Sequence, residues 1–444
     1  MRIQLSDHFT VRRLLRFTLP SMGMMLVTSI YGVVDGFFVS NFAGEDAFSA
    51  VNLIFPFLML LGVVGFMFGS GGSALVSKTM GEGDMEKANR IFSMLVYISI
   101  GSGLVLTLLG YLFLRPVAVW MGAEGELLEN SLLYGRILLA ALPAYIIQIE
   151  FQSFFSTAER PQLGLIVTVA AGLTNIVLDL LLVAVFPFGL AGAAVATTVS
   201  QAIGGIVPLV YFFRPNTSLL RLGRTGFDGK ALGRSCANGL SELVGNLTLN
   251  LVGMLYNFQL MKYAGQDGVA AYGVMLYINT IFLSVFFGYT TGTAPIVGYH
   301  FGAKNHRELK GLLKRSLSII AVASVSMFLL GQIFARPLSA IFVGYDAELL
   351  DMTVHGLRIF SFSFLFVGIG FFTPGFFTAL NDAATSATIS LLRTVVAQVA
   401  AVMLLPLVFG MDGIWAAIVV AEIMAMTMAI ISLVVKRKKF HYWD

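Results

Sequence analysis

Residues 44–81 read GEDAFSAVNLIFPFLMLLGVVGFMFGSGGSALVSKTMG, and residues 265–302 read GQDGVAAYGVMLYINTIFLSVFFGYTTGTAPIVGYHFG. Overlaid without a gap, at an offset of 221, Gly44, Asp46, Ala50, Val64, Phe66, Gly71, Val76 and Gly81 fall on Gly265, Asp267, Ala271, Val285, Phe287, Gly292, Val297 and Gly302. The register extends to Arg115-Pro116 and Arg336-Pro337, slips by one at Glu126, Arg136 and Phe155 against Glu348, Arg358 and Phe377, and returns at Gly192 and Gly413. Chance does not hold a register that long, so the chain is a duplication whose copies build the same unit. Duplicated membrane halves are the usual architecture of secondary transporters, which hold cargo between the halves and expose it to each side in turn.

Composition points the same way. The 444 residues are 57% hydrophobic and 12% charged, about half the charge of a soluble domain, so most of the chain sits in lipid. Apolar stretches near the ~20 residues that cross a bilayer fall at 14–41, 52–76, 91–114, 132–153, 163–186, 190–213, 237–261, 270–298, 316–334, 353–378, 386–408 and 413–435. The reading is an all-α integral membrane protein of twelve transmembrane helices in two six-helix bundles. Six is even, so both copies enter from one side and form a parallel repeat. Arg12, Arg13 and Arg16 before the first apolar run, with no small-residue cleavage site after it, mark a retained first span.

Of the 28 Lys and Arg, 22 lie in the first segment, the even loops and the tail Lys436-Arg437-Lys438-Lys439. Such a bias puts both termini in the cytoplasm of a multi-pass protein of the cell membrane. The net charge of +4 therefore reflects topology, and no nucleic-acid partner is implied. Segment 214–236, with Arg214, Arg221, Arg224, Lys230 and Arg234, reads as the cytoplasmic linker between an N-lobe, 1–213, and a C-lobe, 237–444. The lone Cys236 excludes a disulfide framework and a thiolate cluster. Nothing demands more than a monomer or a cofactor.

Ionisable groups inside spans persist with partners or around a water-filled cavity. Asp35 on helix 1 and Asp179 on helix 5 are two; Asn175 shares a helical face with Asp179. Counted from the span ends at 1.5 Å per residue, Asp35, Asp179 and Thr197 on helix 6 all lie roughly 10 Å below the outer surface. The repeat acts as a control: Asp35, Asn175, Asp179 and Thr197 align with Tyr256, Val396, Ala400 and Ile418, so the set serves something other than the shared architecture. Its oxygen donors suit a small cation, and a buried carboxylate can also take a proton. The plainer alternative is that each is an isolated polar residue bonded within its helix. Glu422 on helix 12 and Arg393 on helix 11 are placed to pair. Pro20 removes a backbone donor within helix 1 and makes a hinge there.

Several of these stretches resemble the multidrug and toxic compound extrusion (MATE) transporters, on the branch of DinF-like and MepA-like proteins. They are Leu19-Pro20, the run Tyr31-Gly32-Val33-Val34-Asp35, Gly44-Glu45-Asp46-Ala47, Gly81-Glu82-Gly83-Asp84, the run Asn175 to Asp179, and the run Gly192 to Thr197. The resemblance implies a cation-coupling site for H+ or Na+ on Asp35, Asn175, Asp179 and Thr197, and a bend at Pro20. It implies export of amphipathic, mostly cationic organic compounds by antiport, with alternating access between two lobes. Helix 10 carries no carboxylate, in contrast to the NorM-like branch, and Glu242 on helix 7 stands alone. For cargo the candidates are Glu150, flanked by Gln148 and Gln152, and Glu242, with Met and Phe side chains that repack around varied molecules. Two alternatives remain. A flippase for lipid-linked saccharides needs basic residues in the cavity to hold a pyrophosphate, and a membrane enzyme needs a catalytic cluster, which the five scattered histidines do not form.

Overall fold

The computed structural model describes residues 3–443, without the side chains of Glu45, Leu247, Leu249, Asn250 and Leu251. The outermost residues of the two expected lobes, Met1 and Asp444, lie outside the described residues, as does the side chain of Glu45 in the motif after helix 1. No strand forms among the described residues; the chain is a succession of helices. The first copy contains α1 (Val11–Phe38), α2 (Glu45–Met67), α3 (Ser73–Gly81), α4 (Met85–Trp120), α5 (Gly125–Ala140), α6 (Leu142–Thr157), α7 (Pro161–Asp179) and α8 (Gly189–Phe213). The second contains α9 (Gly229–Gly302), α10 (His306–Ile333), α11 (Ala335–Val343), α12 (Ala347–Ser361), α13 (Phe364–Ala379), α14 (Ala383–Leu391) and α15 (Val399–Phe440). Short π-helical turns at Val39–Ala43, Phe68–Gly72, Leu180–Val185 and Leu392–Gln398 extend or join these helices.

Among the described residues eight helices are long and apolar enough to cross a bilayer, and ten crossings result when the bent pairs α5–α6 (58°) and α12–α13 (50°) each count as one. The α5–α6 bend has a sequence cause, since Pro143 in the first turn of α6 has no N–H to give to α5. The 74 residues of α9 would extend about 110 Å as one helix, several times a ~30 Å hydrocarbon core. Its backbone leaves the helical region at Gly265 (φ 63°, ψ −147°), and α15 does so at Gly410 (φ 57°, ψ −132°). Dividing α9 and α15 at these points gives the twelve crossings.

The duplication is written into the turns. Left-handed backbone occurs at Gly44 and Gly265, Gly83 and Lys304, Glu159 and Asn381, and Gly189 and Gly410, pairs separated by 221 or 222 residues as in the sequence. Helix caps repeat too: Asp84 accepts from the Lys87 N–H at 2.9 Å and Asn305 from the Glu308 N–H at 3.1 Å. Turn geometry therefore survives where residue identity does not.

The halves meet along a seam with approximate two-fold symmetry. A side-chain carbon on Gly81 would overlap the Tyr299 carbonyl, and one on Gly302 would overlap the Lys78 carbonyl. Gly71 lies on Ser235 and Gly239, while its counterpart Gly292 lies on Thr18 and Ser21. Every glycine approach between halves falls toward the end that carries the basic loops. Non-helical residues 214–228 are fixed on α4 there, where the Arg221 N–H donates to Asn89 Oδ1 at 2.7 Å, the Gly223 N–H to Ser93 Oγ at 3.0 Å, and Tyr97 Oη to the Gly223 carbonyl at 3.1 Å. Asp228 then caps α9, and the Ala231 N–H that it accepts holds its carboxyl below the usual carboxylate range.

Candidate ion and substrate sites

Asp35 lies in the last turn of α1, four residues before a π-helical turn, and Asp179 is the last residue of α7, directly before another. Such turns widen a helix and often mark functional positions. Thr197 Oγ1 donates to Asp35 Oδ1 at 3.2 Å, and the Asp35 carboxylate also faces Asp179 and Asn175. Asn175 and Asp179 are buried, and three of their oxygens, Asn175 Oδ1 and both of Asp179, have no hydrogen-bond partner. Thus α1, α7 and α8 bring all four residues of the sequence-derived set to one place.

Two tyrosines complete the cluster. Tyr134 on α5, buried, faces both carboxylates and Thr197, and Tyr31, one turn before Asp35, faces Gln148 and Thr28. Sequence reasoning passed over both, although the repeat holds the signal: Tyr134 aligns with Gly356 and Tyr31 with Val252. Among the described residues no Lys or Arg acts on either carboxylate. An all-oxygen set of this kind, without a tethered cation, can hold a proton or a small hard cation.

A cleft between the halves is lined by Met25, Phe66, Gln152, Glu242, Phe287 and Phe371, among others. Phe66 and Phe287, the two copies of one repeat position, meet edge to face at 6.4 Å, and Phe287 meets Phe371 at 6.0 Å. Glu242 and Gln152 thus reach this cleft, and Gln152 Nε2 lies 3.5 Å from Thr28 Oγ1. Gln148 and Glu150 do not line it. The Gln148 side chain lies on Gly204 of α8 and against Tyr31, whereas Glu150 is buried toward Ser99 of α4. Pro20 is buried inside α1, which runs unbroken as a helix from Val11 to Phe38. Arg393 and Glu422 form a forked pair, Nε to both carboxylate oxygens at 3.1 Å and one terminal nitrogen at 2.9 Å.

Twelve crossings in two parallel copies, wrapped around a cleft, define the class: a multi-pass membrane transporter. The chain belongs to the MatE family, whose sequence profile matches it twice, over residues 20–181 and 243–403. A Staphylococcus saprophyticus protein named multidrug export protein MepA is 24% identical over 406 residues, covering 90% of this chain and 87% of that protein. The protein of that name from Staphylococcus aureus is 23% identical over 414 residues, covering 93% and 90%. Among solved structures, the outward-facing conformation of a multidrug resistance MATE family transporter of the MOP superfamily superposes with a TM-score of 0.91 at 22% identity, over 98% of this chain and 96% of that one. A MATE structure in complex with MaL6 gives a TM-score of 0.91 at 21% identity, over 98% and 97%. Family members are transporters, and the chain is not an enzyme.

Proposed function

We propose that this protein exports amphipathic, mostly cationic organic compounds across the plasma membrane, exchanging them for H+ or Na+ bound at Asp35, Asn175, Asp179 and Thr197. The observation that carries the reading is the gathering of those four residues, from three helices, in one copy only. On this reading 1–213 is the coupling lobe, 214–236 the cytoplasmic linker and 237–444 the second lobe, with both termini cytoplasmic and one chain sufficient. Cargo binds in the cleft, where Glu242 supplies negative charge and Phe66, Phe287 and Phe371 supply aromatic faces for organic cations. Gln152 faces the same space, with Gln148 behind it, and Glu150 stands apart.

Alternating access follows from charge compensation. Two carboxylates in one desolvated cluster favour an arriving cation, and cation release leaves a repulsion that repacking of α1 against α7 and α8 relieves. Pro20 gives α1 the place to bend. The seam closed on the basic-loop side supports a state in which the cleft opens to the other side. Charge also weighs against a flippase for lipid-linked saccharides: among the described residues that line the cleft Glu242 is the one that is charged, whereas a pyrophosphate calls for Lys or Arg. The deciding experiment is dye efflux from vesicles under an imposed H+ or Na+ gradient. Export driven by either gradient supports the reading; export indifferent to both overturns it.

A further inference from the structure

Glu150 has no role in the cluster or the cleft, and its surroundings are unusual. The residue is 0% exposed, Ser99 opposite it is also 0% exposed, and neither carboxylate oxygen has a geometrically good hydrogen bond. Among the described residues Ser99 on α4 is the one polar side chain acting on it, and no charged group acts on it from any element packed around α6. Gly69 of that turn packs on the Glu150 backbone, where an added carbon would sit 3.3 Å from its Cα. Ile149, Gln152 and Ser153 face the cleft; at about 100° per residue, Glu150 is turned about a quarter-circle off that face.

An ionised carboxylate without a partner costs several kcal/mol at such a place, so Glu150 needs a positive ligand. We propose that Glu150, with Ser99, is a second proton-binding site, separate from the Asp35–Asp179 cluster. The inventory selects the proton over a metal ion. A hard cation takes about six or more oxygens, and here one carboxylate and one hydroxyl are on offer, whereas a proton needs one oxygen. In the protonated state one Glu150 oxygen carries the O–H and donates it to Ser99 Oγ; on release the proton passes to water, leaving the carboxylate.

The release route is short. Glu150 lies seven residues, about 10 Å, from Thr157 at the end of α6, on the side of the basic loops. The linker lies on α4 at Ser93 and Tyr97, just before Ser99. Parting of α4 from α6 under that linker would wet the site. The role of this proton in transport rests on the ion-coupled reading above; its presence does not.

Infrared difference spectra of the reconstituted full chain between acid and alkaline buffer test the two separately. The expected result is a carboxylic-acid C=O band that is lost in Glu150→Gln, retained in Asp35→Asn and Asp179→Asn, and shifted in Ser99→Ala, which keeps the carboxyl and removes its one polar neighbour. A spectrum unchanged by Glu150→Gln overturns the proposal, and so does a band unmoved by Ser99→Ala if the Gln variant does not fold. In vesicles, Glu150→Gln should export dye with its dependence on cytoplasmic-side pH lost. If wild-type export ignores both the H+ and the Na+ gradient while the band behaves as stated, the coupled-export reading fails and the proton site stands.

Discussion

The halves are copies of one unit, yet they treat buried charge in opposite ways. In the first, Asp35 and Asp179 face one another with Asn175, Thr197 and Tyr134, and no basic side chain among the described residues acts on either. In the second, Tyr256 takes the place of Asp35 and stacks on Tyr272 at 5.0 Å with planes 6° apart. Ala400, Val396, Ile418 and Gly356 replace the other four. A carboxylate remains buried in that half, Glu422, but Arg393 closes it with a fork, and the guanidinium lies 4.7 Å over the Phe371 ring. A tethered cation occupies in one half the role that a mobile ion would take in the other. Binding an ion that can leave requires that none be tethered there.

The largest expected effect tests that contrast directly. Asp35→Asn or Asp179→Asn should reach the membrane in normal amount and lose gradient-driven dye efflux to background; wild-type pumping by both would break the comparison. Next comes the paired half. Removing one partner, by Arg393→Met or Glu422→Gln, leaves a buried group uncompensated and should cost about 3–5 kcal/mol of stability, read as a lower thermal midpoint in detergent. The double variant Arg393→Met with Glu422→Leu should recover most of it, and a single variant with an unchanged midpoint would show the pair to be ornamental.

Ala400→Asp, the mirror of Asp179, should fail to restore efflux to Asp179→Asn, since Tyr256 and Val396 offer it neither the second carboxylate nor the amide that Asp35 and Asn175 supply. The seam allows a symmetric test: Gly81→Ala and Gly302→Ala collide with equivalent carbonyls and should slow export by the same factor within error. Unequal effects would mean that the halves close asymmetrically.

The smallest effect concerns the tail. Asp382, between α13 and α14, is opposed by burial, yet the Thr385 hydroxyl at 2.9 Å together with Lys439 and Lys436 outweighs that and lowers its carboxyl from the ordinary value. A lowered carboxyl adds stability that is present above its unfolded value, about 3.9, and lost as pH falls through the folded one. Asp382→Asn should therefore flatten the acid limb of the stability profile, measured as thermal midpoint against pH. An acid limb as steep as wild type would assign it to other groups.

The repeat, the twelve crossings and the four-residue cluster were legible because each rests on residue type at fixed spacing. Tyr134 was passed over because a tyrosine in an apolar span looks like packing until its counterpart, Gly356, is consulted. The direction of Glu150 was not legible: the sequence grouped it with its flanking glutamines as a cargo candidate, whereas residues two apart on a helix diverge by about 200°, sending Gln152 to the cleft and Glu150 to Ser99. The seam was half legible. Gly71, Gly81, Gly292 and Gly302 stood out as repeated glycines, but only the packed structure shows them resting on each other's helices.

That reciprocity reaches beyond this chain. Gly81 meets Tyr299 as Gly302 meets Lys78, and Gly71 meets Gly239 as Gly292 meets Thr18, which is the self-complementarity of an isologous dimer. A single half carries both faces of its own contact, so two free copies inserted in the same direction could have paired before any fusion joined them. Within one chain the two copies need not stay alike: one keeps a pair of acids facing each other, the other an arginine closed on a glutamate.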